Sequence, residues 1–135
     1  MKIRTIVLFV IVVALALPTF AGPMKAGKWS VSVETKMAGM DMKMPPMTFE
    51  RCVTPEEAEK PQPPKARNED CKIEDYKLEG NTVTWKVKCE KTNTSGEGKM
   101  TYSNDSYEGD MHMKMGDREV TQKITGKRIG DCDKK

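Results

Sequence analysis

Methionine is the residue type whose distribution in this chain most directly suggests chemistry. The 135-residue sequence contains 11 methionines, and most of them fall in two clusters, at residues 37–47 and 111–115. The thioether sulfur is a soft ligand that prefers copper(I) or silver to the hard cations that carboxylates bind. Neighbouring strands lie about 4.8 Å apart, so methionines from two strands can converge on one ion. The candidate metal ligands are Met40, Met42, Met44, Met111 and Met113.

The second cluster also fits two roles that need no metal. Met111, Met113 and Met115 are two residues apart, and residues with this spacing face the same side of a sheet. Methionine is flexible and fills irregular apolar space, so the stripe suits either a packed core or the lining of an apolar ligand cavity. The sequence does not decide whether these methionines form a packed core, the lining of an apolar cavity or a metal site. The predicted cavity lining comprises Trp29, Trp85, Met111, Met113 and Met115.

The four cysteines predict disulfides rather than a zinc site. Cys52, Cys71, Cys89 and Cys132 are separated by 18, 17 and 42 residues, unlike the close pairs that bind zinc. Residues 1–21 have the pattern of a signal peptide, so we expect export, and an even number of cysteines in an exported chain favours disulfide bonds. Four cysteines allow three pairings. A predicted hairpin turn at residues 78–82 brings Cys71 level with Cys89. That geometry favours Cys71–Cys89, which leaves Cys52–Cys132.

The sequence gives little support to an enzyme. Its single histidine, His112, alternates with methionines, so on a strand it points to the opposite, polar side. There is no G-x-S-x-G turn for a nucleophile, and Gly96-Glu97-Gly98 is too short for a phosphate-binding loop. We therefore expect a non-enzymatic protein with no cofactor, copper(I) being the alternative.

Period-two alternation of apolar and polar residues dominates the rest of the chain. It is clear in residues 29–34, 82–89, 107–115 and 120–125. Such alternation is typical of strands with one buried and one solvated face, which antiparallel sheets allow. Turn-forming residues at 79–81, 93–98, 103–106 and 116–117 separate the runs. The pattern predicts an all-β fold, either a curved antiparallel meander or a partial barrel.

One short helix interrupts the strands. Thr54 fits the N-cap position, Pro55 the first helical position, and Glu57 the third, which together form a capping box. The prolines at 61, 63 and 64 prevent the helix from continuing. The pattern predicts a helix from Pro55 to about Glu59.

Residues 1–21 have the features of a cleaved signal peptide. Lys2 and Arg4 precede an apolar run at residues 6–17, which Pro18 ends. Twelve apolar residues fall short of the ~20 that span a bilayer, so we expect cleavage rather than anchoring. The mature chain, residues 22–135, is then a single β-domain without a membrane span, located in the periplasm or secreted.

The balance of charge argues against a nucleic-acid partner. The chain has 23 Lys and Arg against 20 Asp and Glu, and removing Lys2 and Arg4 leaves 21 against 20. A protein that binds nucleic acid through phosphate contacts needs a clear excess of basic side chains.

Several short motifs together resemble a known family. They are Gly27-Lys28-Trp29, Arg51-Cys52-Val53-Thr54-Pro55-Glu56, Gly80-Asn81-Thr82-Val83-Thr84-Trp85 and the closing Gly126-Lys127-Arg128-Ile129-Gly130-Asp131-Cys132. With the four cysteines, they resemble the exported bacterial family catalogued as domain of unknown function 3617, over essentially the whole mature chain. The resemblance implies an exported all-β protein and carries no activity or catalytic residues with it.

The sequence therefore predicts a secreted or periplasmic binding or structural module. Its concave face, lined by methionine and tryptophan, is expected to accept an apolar ligand or a segment of a partner protein. The alternative is a protein that binds copper(I) or silver through its methionine clusters.

Overall fold

A computed structural model describes residues 22–40, 44–63 and 70–133, which form a seven-stranded antiparallel sheet and one helix. The elements are β1 (Gly27–Met37), β2 (Met47–Val53), α1 (Pro55–Glu59), β3 (Cys71–Glu79), β4 (Thr82–Cys89), β5 (Thr94–Tyr102), β6 (Ser106–Met115) and β7 (Arg118–Gly130). The predicted all-β class and the short helix are confirmed. The predicted signal peptide lies outside the described residues.

The sheet is open, and its strand order differs from a simple meander. Strands β3 to β7 follow one another across the sheet, but β1 pairs with β7, and β2 pairs with the far side of β1. Consequently β2 and β3, which are consecutive in the sequence, form the two opposite edges of the sheet. The connection between these edges contains α1.

The two faces of the sheet differ sharply in polarity. Directly opposite residues of antiparallel strands share a face. The inner face, as we name the side that carries Trp29, is mostly apolar, and the outer face carries Lys, Glu, Asp, Ser and Thr residues. The buried core lies on the inner face and comprises Met24, Trp29, Val31, Val53, Ala58, Val83, Trp85, Met100, Tyr102 and Ile124.

Residues outside the sheet cover one end of the inner face. Ala58 of α1 and Met24 of the N-terminal segment belong to the core, and Pro61, which follows α1, is buried. The Trp29 indole N–H donates to the carbonyl oxygen of Lys25 at 3.0 Å. The Tyr76 hydroxyl of β3 donates to the carbonyl oxygen of Pro61 at 2.7 Å, so the connection after α1 is fastened to the opposite edge strand.

Helix α1 has the capping that the sequence predicts. The Glu57 N–H donates to the Thr54 hydroxyl at 3.2 Å, and the Thr54 N–H donates to the Glu57 carboxylate at 3.0 Å. Both bonds satisfy N–H groups that would otherwise lack a partner in the first turn. A helix this short is marginal by itself, so its packing through Ala58 contributes to its stability.

Two disulfides join Cys52 to Cys132 and Cys71 to Cys89, the pairing that the hairpin geometry favoured. Cys71 and Cys89 are directly opposite in the register of β3 and β4. Cys52–Cys132 connects β2 to the segment after β7 and closes a separation of 80 residues. Each bond contributes on the order of 2–4 kcal/mol, chiefly by restricting the unfolded chain.

Large side chains of the inner face lie over glycines of the neighbouring strands. A Cβ atom added to Gly98 would be 2.2 Å from the Trp85 ring, and one added to Gly126 would be 2.2 Å from the Tyr107 ring. Gly98 lies within β5, so the predicted turn at residues 93–98 is wrong beyond Asn93. Glycine occurs here because a side chain would occupy the space that the ring fills, not because the chain turns.

We expect Gly98→Ala to lower the free energy of unfolding by about 1–3 kcal/mol, because the methyl group overlaps the Trp85 ring. Ser95→Ala is the control in the same strand, where Ser95 is exposed and the change is expected within about 0.5 kcal/mol. Denaturant titration of both variants measures the difference. Equal stability of the two variants would contradict the close packing.

Tyr102 and Tyr107 form an aromatic cluster with Trp29. The ring centroids of Trp29 and Tyr107 are 5.4 Å apart, and those of Tyr102 and Tyr107 are 5.5 Å apart. Burial raises the pKa of Tyr102 well above the ordinary value of 10.0, and the neighbouring Tyr107 raises it further. Burial also raises the pKa of Tyr107.

The raised pKa values predict a loss of stability at alkaline pH. The folded state keeps these hydroxyls protonated above pH 10.0, whereas the unfolded chain ionises there. Their contribution is therefore fully present below that pH and is lost as the pH rises towards the folded-state pKa. We expect Tyr102→Phe to flatten the decline of unfolding free energy with pH in this range, measured by denaturant titration. An unchanged slope would contradict the raised pKa of Tyr102 as a cause of the decline.

Candidate functional site

Both methionine clusters lie at the same end of the sheet. Strands β1 and β6 both run antiparallel to β7, which lies between them, so β1 and β6 end on the same side. Val120 of β7 is opposite Met37 on one side and opposite Met113 on the other. We name this region, with Met37, Met40, Met44, Met111, Met113 and Met115, the methionine end.

The methionine end is the less covered part of the inner face. Helix α1 and the N-terminal segment pack at the other end, around Trp29. At the methionine end, Met111 and Met113 are half-buried, and 40% of Met115 is exposed. A stripe of thioether side chains on one strand therefore passes from the packed interior to solvent.

The two predicted tryptophans do not line an accessible surface. Trp29 is 0% exposed and Trp85 is 3% exposed, and both belong to the hydrophobic core. Trp85 lies over Gly98, and Trp29 packs against Tyr107. The structure thus corrects the expectation that these side chains meet a ligand: they form the packed layer beside the methionines.

Met113 has a packing role of its own. Its Cγ atom would be 3.1 Å from a Cβ added to Gly96, so the side chain extends over that glycine of β5. Val87, opposite Gly96 on its other side, is buried. Met113 therefore contributes to the core while remaining half-buried, whereas Met115 projects further towards solvent.

The predicted metal ligands are only partly brought together. Met40 and Met44 are exposed in the connection between β1 and β2, and Met42 lies outside the described residues. The Met40 N–H donates to the Met37 carbonyl oxygen at 3.4 Å, which places these two methionines at the ends of one turn. Met37 was not among the predicted ligands, although its place in the first cluster indicated it. Among the described residues, no group of three or more His, Cys, Asp and Glu side chains is placed to hold a metal ion.

The outer face has a shallow depression of about 490 Å³ beside His112. Its charges alternate in sign, and Lys86 forms an ion pair with Asp75 at 3.2 Å. His112 is exposed, as the alternation predicts, and its Nδ1 is 3.2 Å from the Thr121 hydroxyl oxygen. The histidine therefore lies on the opposite side of the sheet from the methionine stripe.

Apolar side chains at both edges of the inner face were not among the predicted site residues. Met47 and Phe49 of β2 are exposed, as are Ile73 and Leu78 of β3. The alternation in β2 covers too few residues to stand out, and the bulge in β3 breaks its period. The run Met47-Thr48-Phe49-Glu50 was the available signal.

This geometry defines an antiparallel β-sheet protein with two disulfides. One joins β2, just before α1, to the C-terminal segment, and the other joins β3 to β4. A sequence model of one protein family, described as "Protein of unknown function (DUF3617)", matches residues 24–132, and the chain belongs to that family. The match includes every strand and all four cysteines. Neither the curated proteins nor the solved structures include a match to the chain. In the part of the chain that the structure describes, no helix is long and apolar enough to cross a membrane.

Proposed function

We propose that the protein is an exported, non-enzymatic binding protein that takes an apolar ligand at the methionine end of its inner face. The observation that carries this proposal is the stripe of Met111, Met113 and Met115, which leads from the core to solvent where α1 gives no cover. The tryptophans support the stripe from within the core and do not contact the ligand.

Methionine suits a surface that adapts to an apolar ligand. Its unbranched side chain changes rotamer at low cost and its sulfur is polarisable. Fully burying a methionine side chain gains about 1.5–3 kcal/mol, so covering the exposed parts of these side chains favours the binding of an apolar ligand.

The export part of the proposal rests on two observations. Residues 1–21 have the charged, apolar and small-residue regions of a signal peptide. The two disulfides are consistent with an oxidising, extracytoplasmic compartment. The family resemblance points in the same direction.

An apolar fluorescent probe tests the ligand site. We expect N-phenyl-1-naphthylamine to bind the protein, and the double change Met111→Gln and Met115→Gln to weaken binding by about tenfold, or ~1.4 kcal/mol. The amide makes the stripe polar at similar side-chain length. Fluorescence titration measures both dissociation constants.

Two controls separate the stripe from general effects on the strand. The outer-face change His112→Gln with Lys114→Gln affects the same strand and is expected to leave probe binding unchanged. Met111→Leu with Met115→Leu keeps the stripe apolar and is expected to retain binding. Equal loss of binding in the outer-face variant would refute the site.

One observation favours a second candidate function, the binding of copper(I) or silver. The sheet brings methionines from β1, from the β1–β2 connection and from β6 to one end, although they are distant in the sequence. Thioether sulfurs from at least two of these segments are the soft ligands that such ions prefer. Met113 lies close to Gly96 and is half-buried, so part of its side chain remains accessible.

Leucine substitutions distinguish the two functions. Leucine has a volume similar to methionine and such exchanges usually cost less than about 1.5 kcal/mol, so Met40→Leu with Met113→Leu preserves the fold. If copper(I) binds, this variant loses the metal in a competition titration under reducing conditions, while His112→Ala retains it. If the apolar function holds, the same variant still binds N-phenyl-1-naphthylamine. Absence of copper(I) uptake by the unaltered protein excludes the metal function.

A further inference from the structure

The two edge strands of the sheet differ in their capacity to accept another strand. The β3 edge is irregular, because the register with β4 shifts between Glu74 and Lys77 and Asp75 adopts a left-handed conformation with φ 51°. Bulges of this kind twist an edge strand and interrupt the row of backbone groups that it presents. The edge formed by β3 is therefore poorly suited to pairing.

The edge formed by β2 has no such interruption. Its register with β1 is continuous from Met47 opposite Val33 to Val53 opposite Gly27. The strand contains no proline and no residue with positive φ. Within the described residues, β1 is its only strand partner, so the backbone groups on its other side are free to pair.

The side chains of β2 make this free edge apolar on one face. Met47 is 69% exposed and Phe49 is 46% exposed, and they are opposite Val33 and Val31 of β1 on the inner face. A strand added beside β2 would therefore continue the inner apolar layer as well as the hydrogen-bond ladder. The free backbone groups and the exposed apolar side chains therefore lie in the same five residues, 47–51.

The charges of β2 are already neutralised within its own chain. Glu50 forms an ion pair with Lys28 at 2.9 Å, and Arg51 forms one with Glu57 at 3.3 Å. The hydrogen bond to Glu50 is the main reason why the pKa of Lys28 is raised. A neutral edge does not select a charged partner and does not repel an identical strand.

We propose that β2 pairs antiparallel with β2 of a second copy of this chain, across a two-fold axis at Phe49. In this register Phe49 faces Phe49 of the second copy, Thr48 faces Glu50, and Met47 faces Arg51. Aromatic side chains directly opposite each other stabilise an antiparallel pair, and no like charges meet. The interface is isologous, as the two-fold symmetry of a closed dimer requires.

The neighbouring registers are less favourable. Centring the pair on Glu50 places two carboxylates directly opposite each other, which is destabilising. Centring it on Thr48 brings Pro46 into the ladder, where it has no N–H to donate. In the register centred on Phe49 no two carboxylates are opposite each other, and Pro46 faces Cys52, beyond the five paired residues 47–51.

The oligomeric state of the disulfide-intact protein tests the proposal. We expect sedimentation equilibrium to show a dimer at micromolar concentrations, and Phe49→Lys to raise its dissociation constant at least about tenfold. Leu78→Lys is the matched control, because Leu78 is an exposed apolar residue of the other edge strand. It is expected to leave the dimer intact.

A cysteine at the two-fold axis tests the register. Opposite residues of an antiparallel pair have Cα atoms about 4.5–5.5 Å apart, which a disulfide can bridge. Phe49→Cys is expected to cross-link two chains under mild oxidation, whereas Glu50→Cys, which faces Thr48, is not. A monomer at all concentrations, a dimer sensitive to Leu78→Lys instead of Phe49→Lys, or cross-linking by Glu50→Cys alone would overturn the proposal. These outcomes are independent of ligand binding at the methionine end.

Discussion

The packing of large side chains over glycines of neighbouring strands is the constraint on which this fold depends. The residues that the structure describes form one sheet, so their core consists of side chains of the inner face packed against adjacent backbone, with α1 and the N-terminal segment above them. Trp85 over Gly98 and Tyr107 over Gly126 each need a position without a side chain. The glycine at 126, between β1 and β6, also lets the Tyr107 ring contact Trp29 across an intervening strand.

The same constraint explains why the methionine end differs from the rest of the inner face. The rings of Trp29, Tyr102 and Tyr107 fill the covered end, beside α1 and the segment before β1. At the other end the Met113 side chain lies over Gly96, whereas the next methionine of the stripe, Met115, is exposed to solvent. Successive methionines of the stripe therefore differ in role. Met113 packs into the core, whereas Met115 forms part of an exposed apolar surface.

Much of the fold follows from local patterns in the sequence, whereas the site depends on contacts between distant residues. Alternation predicted the long strands, and the Thr54–Glu57 capping box predicted α1, because both depend on near neighbours. Gly98 was interpreted as part of a turn because the local sequence does not show that the ring of Trp85, from another strand, occupies the space beside it. The burial of Trp29 was missed for a similar reason: it depends on α1 and on the residues before β1, which alternation does not describe. The pairing of β1 with β7 joins residues that are far apart in the sequence, and it brings the methionine clusters together.

The positions of the disulfides connect the open architecture to function. An edge strand has a neighbour on one side only, and it is held by fewer contacts than a central strand. Cys52 lies in β2 and Cys71 in β3, so each disulfide fastens one of the two edge strands. Because covalent bonds hold these strands, they can remain ordered while their apolar side chains stay exposed. The disulfides thus allow an open sheet to present exposed side chains such as Phe49 in fixed positions, which a recognition surface requires.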